Sequence, residues 1–170
     1  MNIFILDNSP VLSAQYMCDK HIVKMILETR ELLRMAMYPK AEFVPNELKR
    51  YKNHPCAKWA RKSRANFQWL WNHGKALCAE YTYRYGKTHK YDNFFTGQYL
   101  ESWASRDFEE EELIPFVQCM LPEYFDPDPI VAYRNYYMGA KTHLLKYTRR
   151  TPPEWMQALE LGEHRDNATI

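Results

Sequence analysis

The sequence predicts an all-α fold, a single-domain helical bundle with two long helices and several shorter ones. Only 5 glycines in 170 residues leave little material for hairpin turns, which draw on Gly at positive φ. Apolar residues recur at steps of three and four over long stretches, the helical period. Prolines and small polar residues fall at the ends of those stretches, where helices start and stop. A chain of this length buries about two-thirds of its unfolded surface, enough for one core. One helical domain is expected over residues 1–158, with 159–170 a flexible tail.

Met1 to Asp7 reads as a short extended apolar entry. Ser9 and Pro10 supply an N-cap and a first-turn proline for a helix running to about Met37. Its apolar stripe is Val11, Ala14, Met17, Cys18, Ile22, Met25, Ile26, Leu32 and Leu33, and Pro39 and Pro45 close it. A second long helix opens at Asn53-His54-Pro55 and ends at Tyr85-Gly86, with Gly86 as a left-handed cap. Tyr91 to Phe95 reads as loop and Gln98 to Phe108 as a short helix. Glu109 to Glu112 precede another short helix around Leu113 to Met120, acids being favoured at a helix N-terminus. Pro122 to Pro129 is a turn-rich connector, and a last long helix spans about Ile130 to Lys146.

The formal charge is only +2, yet it is segregated. From Lys49 to Lys90 eleven Lys and Arg face a single acid, Glu80, while acids pool at 109–112. A locally basic surface of this kind suits nucleic acid. No apolar run reaches the roughly 18 residues of a membrane span, and no signal peptide is visible, so a cytoplasmic protein is expected, in a host's cytoplasm if a phage encodes it. Cys18, Cys56, Cys78 and Cys119 form no C-x-x-C pair and read as buried thiols. A zinc site from Cys18, His21, His54 and Cys56 has poor spacing, so neither metal nor cofactor is expected.

The second helix places Trp59, Asn66, Leu70, His73, Leu77, Glu80 and Arg84 on one face. Polar groups on an apolar stripe need partners, because burying them alone is costly. They form either a sealed network, for instance Glu80 with Arg84 one turn on, or part of an acid-base cleft. The first helix repeats the theme with His21, Lys24 and Glu28, and two such faces meeting would give a cleft. The last helix interleaves rings and cations, among them Tyr133, Arg134, Tyr136, Tyr137 and Lys141, which either stack on bases and neutralise phosphates or dock in the core. Met1 is retained before Asn2, and its α-amine, of pKa near 8, is a weak but real candidate Schiff-base nucleophile.

Tyr51-x-x-His54-Pro55, Trp59, Arg61, His73, Glu80 and Arg84-Tyr85-Gly86-x-x-His89 resemble the central segment of the pyrimidine-dimer DNA glycosylase family, the endonuclease V type of bacteriophages and bacteria. The N-terminal string from Cys18 to Ile26 and Ala132-Tyr133-Arg134-x-Tyr136-Tyr137 are also similar to uncharacterised proteins of large tailed phages. The glycosylase resemblance implies a metal-free helical enzyme that flips a nucleotide from double-stranded DNA, attacks C1′ with its N-terminal amine and cleaves the abasic site through an imine. Carried onto this chain, the amine is that of Met1; the polar faces of the two long helices add His21 and Glu28 to move protons, with His73 and Glu80 in the same catalytic set. Lys24, His54, Trp59, Arg61, Arg64, Arg84, Lys87, His89, Tyr133, Arg134, Tyr137 and Lys141 are the expected nucleic-acid contacts. The chain departs from the family in two ways. The phage enzyme exposes a Thr amine, and the family's catalytic Glu falls at about His21, with Asp19 and Glu28 the nearest acids. Competing readings are a DNA- or RNA-binding module without catalysis, and a base-modifying or nucleotide-processing enzyme; the latter is disfavoured by the lack of a Gly-rich phosphate loop.

Overall fold

A computed structural model describes residues 2–38, 44–96 and 107–157. The fold is all-α, and no β-strand occurs among the described residues. Residues 2–6 precede the first helix without regular secondary structure, with Ile3, Ile5 and Leu6 wholly buried. Helices follow at Pro10–Gln15 (α1), Asp19–Ala36 (α2), Pro55–Lys62 (α3), Arg64–Tyr85 (α4), Asp92–Thr96 (α5) and Pro129–Ala140 (α6), with 3-10 turns at Asn46–Tyr51, Pro122–Tyr124 and Thr142–Leu144. Helix α4 is the spine: α1 and α2 pack along it, and α3 packs on both α2 and α4.

The expected caps are present. Ser9 accepts from the Leu12 amide with Pro10 in the first turn, Pro55 opens α3, and Gly86 ends α4 at φ 65°. Both long helices are nevertheless broken. The first stops at Gln15 and restarts at Asp19, because residues 146–148 fill the gap: the Asp19 amide donates to the Lys146 carbonyl at 2.8 Å, and the Tyr147 hydroxyl donates to the Tyr16 carbonyl at 2.9 Å. The second breaks at Ser63, which caps α4 through the Asn66 amide. Here the acidic run, expected to lead a helix, instead lies extended against the break. Amides of Arg64 and Ala65 donate to the carbonyls of Glu110 and Glu111, supplying partners to donors that a helix start leaves orphaned.

Three further elements differ from expectation. Residues 113–120 are irregular and not helical, since Pro115 disfavours the helical region for Ile114 and side chains take up the backbone. The Ile114 amide donates to Asn66 Oδ1, Trp59 Nε1 donates to the Ile114 carbonyl, and the Cys119 amide donates to the Tyr133 hydroxyl. Residues 92–96 are helical and not loop, because Phe95 is buried against Gly74 of α4, where a Cβ would lie 2.0 Å from its ring. The last helix stops at Ala140, and a turn at 142–144 brings Lys146 back to Asp19. The helix expected over residues 98–108 and the tail from 159 fall largely or wholly outside the described residues.

Candidate active site

The entry segment lies across α2. The Asn2 amide donates to Glu28 Oε2 at 3.0 Å, and Asn2 Nδ2 donates to the Cys119 carbonyl at 2.6 Å. Asn2 Oδ1 accepts from the amides of Ile3 and Phe4, a local turn that holds Phe4 at φ 55°. Positive φ on a bulky residue costs on the order of 1–3 kcal/mol and persists only where its surroundings enforce it. Here they do: the Phe4 ring stacks on His21 at 4.3 Å and meets Tyr137 edge-on at 5.5 Å.

Above this segment opens a hollow of about 190 Å³ lined by Asn2, Phe4, Lys24, Glu28, Cys119, Tyr136 and Lys141. Lys24 and Glu28, one turn apart on α2, form an ion pair at 3.0 Å, with Lys24 mostly exposed and Glu28 mostly buried. Across from them Lys141 sits over the Tyr136 ring at 4.8 Å, and that ring lies parallel to Phe4 with 6.0 Å between centres. The hollow thus has a carboxylate at its base, two ammonium groups at its rim and an aromatic wall. His21 lies behind Phe4, its Nδ1 in a short hydrogen bond with the Tyr137 hydroxyl. Burial, then the charges of Lys141 and Lys24, lower its pKa to about 4, so the ring is neutral at pH 7.

The other expected site residues do not converge here. His73 is sealed between α1 and α4, with Nδ1 on the Pro10 carbonyl at 2.9 Å and its ring stacked on Trp69; burial lowers its pKa to about 4. Glu80 and Arg84 form the internal network that was the alternative reading of their spacing. Arg84 Nε donates to Glu80 at 2.7 Å, its Nη1 to Asp19 at 3.0 Å and its Nη2 to the Gln15 carbonyl, while Arg150 closes on Glu80 from outside at 2.8 Å. Burial pushes the Asp19 pKa up, but hydrogen bonds from Thr148 and Arg84 outweigh it and leave the carboxyl below its ordinary range.

Of the expected nucleic-acid contacts, Lys24 and Lys141 line the hollow and Lys87 is exposed beyond α4. Tyr133, Tyr137, Trp59 and Arg84 are buried. Arg134 holds the Leu6 carbonyl and Asp7, Arg61 the Lys52 carbonyl, and Arg64 pairs with Glu111. His54 and His89 accept from the amides of Cys56 and Tyr91. Cys18 lies by Tyr137 and His54 serves as a cap, so the four residues weighed as a zinc set have other neighbours; no metal-binding cluster occurs among the described residues. Sequence reasoning missed Asn2, Phe4 and Cys119 as lining residues. Tyr136 was named in the aromatic and basic run of the last helix but not among the expected nucleic-acid contacts.

Two ammonium groups, a carboxylate and an aromatic ring thus share one open hollow beside the first residues of a helical chain. The family model described as pyrimidine dimer DNA glycosylase matches residues 1–93, which take in the entry segment and α1 through α4, and the chain belongs to that family. No curated protein and no solved structure matches the chain. The family places the protein among DNA glycosylases of DNA repair, with nucleic acid as its partner. No described helix is long and apolar enough to cross a membrane.

Proposed function

We propose that the hollow at Glu28 is the catalytic site, and that the chain excises a base from double-stranded DNA and cleaves the resulting abasic site with its N-terminal α-amine. The observation that carries this reading is the 3.0 Å hydrogen bond from the Asn2 amide to Glu28, inside an open hollow rimmed by lysines. The Met1 amine is one residue further along the same chain. Its pKa near 8 keeps a useful fraction neutral at physiological pH. As that nitrogen bonds to C1′ the glycosidic bond breaks, and the base departs with the bonding pair and takes a proton from water. The amine then gives up its own proton, the sugar ring opens to an imine, and loss of a C2′ proton expels the 3′ phosphate. Glu28 accepts the amine proton and returns it to the ring oxygen; Lys24 keeps that carboxylate paired in the free protein. Lys24 and Lys141 take phosphate oxygens, and the Tyr136 face takes a sugar or base. His21 supports Phe4 from behind, a positioning role. His73, Glu80 and Arg84 hold α1, α2 and α4 in register.

The test is incubation with a duplex containing one abasic site in the presence of borohydride, which reduces the imine to a stable adduct. Glu28→Gln lowers the rate of adduct formation by about 100-fold. Failure of the unaltered protein to form any adduct refutes the imine route.

A further inference from the structure

Cys56 and Cys119 are far apart in sequence, yet their sulfurs lie 3.5 Å apart. Cys56 is fully buried in the first turn of α3, where the helix fixes its backbone. Cys119 lies in the irregular 113–120 segment, is only partly buried and lines the hollow. The Cys56 thiol donates to the Cys119 sulfur. That bond, with burial, pushes the Cys56 pKa well up; on Cys119 the same bond outweighs burial and holds the pKa below its ordinary value. Of the two cysteines only Cys119 lines the hollow, so a small solute there reaches Cys119 before Cys56. The remaining cysteines differ: Cys18 is buried by Tyr137 and its pKa is raised, and burial beside Asp92 pushes Cys78 up to about 12.

We propose that Cys56 and Cys119 are a peroxide-oxidisable dithiol in the wall of the hollow, and that closing their disulfide slows the chemistry at Glu28. The Cys119 thiolate attacks one peroxide oxygen, the O–O bond breaks, and hydroxide leaves and takes up the displaced proton as water. The Cys56 sulfur then attacks the Cys119 sulfenic sulfur; its hydroxyl departs with the Cys56 proton as a second water. Two thiols are oxidised and one peroxide is reduced. An S–S bond of about 2.05 Å requires the sulfurs to approach by about 1.5 Å. Cys56 is anchored in a helix, so the approach falls to Cys119. Its carbonyl holds Asn2 Nδ2 at 2.6 Å, and the Asn2 amide in turn holds Glu28. Misplacement of about 1 Å at a reacting centre costs up to about 100-fold in rate.

The slowing rests on the function proposed above; the covalent step does not. The full chain is treated with hydrogen peroxide, alkylated and mapped by mass spectrometry, and its adduct formation with abasic duplex is timed. The expected result is a Cys56–Cys119 linked peptide lacking two hydrogens, Cys18 and Cys78 still alkylatable after unfolding, and adduct formation about tenfold slower. Dithiothreitol restores the rate, and Cys56→Ser keeps its rate in peroxide. A different pairing, no link, or a link with unchanged rate overturns the proposal. If the reduced protein forms no adduct, the imine reading falls by itself. The dithiol is then judged by the mapped bond and by hydrogen exchange: faster exchange of the Ile3 and Phe4 amides on oxidation is expected, and unchanged exchange overturns it.

Discussion

Replacing Arg84 with methionine removes the cation at the centre of the internal network and separates a structural role from a DNA-binding one. The guanidinium is buried and donates to Glu80, Asp19 and the Gln15 carbonyl. Breaking a buried ion pair by removing one partner costs about 3–5 kcal/mol, because the other charge is left behind. Here the carboxylates keep other donors: Glu80 retains both bonds from Arg150, and Asp19 retains the amide and hydroxyl of Thr148. Methionine also fills much of the vacated space. The loss therefore falls at the low end, about 3 kcal/mol. With a urea slope of about 2 kcal/mol/M, the unfolding midpoint drops by about 1.5 M. The assay is urea unfolding followed by tryptophan fluorescence, alongside DNA binding by the folded protein. An unchanged midpoint with lost DNA binding would refute the reasoning and return Arg84 to the nucleic-acid surface.

Other predictions concern protons, charge and catalysis. His21 and His73 both titrate near 4 in the folded protein against an ordinary value near 6.5, so the unfolded chain binds more protons between those limits. Their contribution is complete above about pH 6.5 and is lost as pH falls toward 4, by about 3 kcal/mol for each ring. Urea midpoints measured across that range should fall with acidity, and His73→Phe should flatten the slope by about half. Lys141→Ala should weaken binding to abasic duplex and reduce the salt dependence of log K by about one. A parallel shift with no change of slope would place Lys141 off the phosphates. Glu28→Gln should slow adduct formation while binding persists, measured by the same borohydride assay and by anisotropy; equal loss of both would make Glu28 a binding residue.

Local signals in the sequence were enough for the helix starts at Pro10 and Pro55 and the stop at Gly86, since each depends on one or two neighbouring residues. The breaks at Tyr16–Cys18 and Ser63 were not legible, because partners some 130 and 50 positions away create them through Lys146 and Glu110. The same limit applied to the site. Lys24 and Glu28 share a helical face that spacing alone reveals. Asn2, Phe4 and Cys119 join them through the entry segment and the 113–120 segment, whose courses follow from tertiary hydrogen bonds. The stripe from Asn66 to Arg84 carried two readings because periodicity places polar groups on a face without saying what covers it. Ile114 meets Asn66, Pro10 meets His73, and Gln15, Asp19 and Arg150 meet Glu80 and Arg84 here.

The identity of the nitrogen that bonds to C1′ tests the account most directly. Lys24 and Lys141 line the same hollow as the entry segment and are rival amines. Tryptic digestion and mass spectrometry of the borohydride-reduced adduct should find the sugar on the α-amine of the peptide Met1 to Lys20. A sugar carried on the side chain of Lys24 or Lys141 would contradict it.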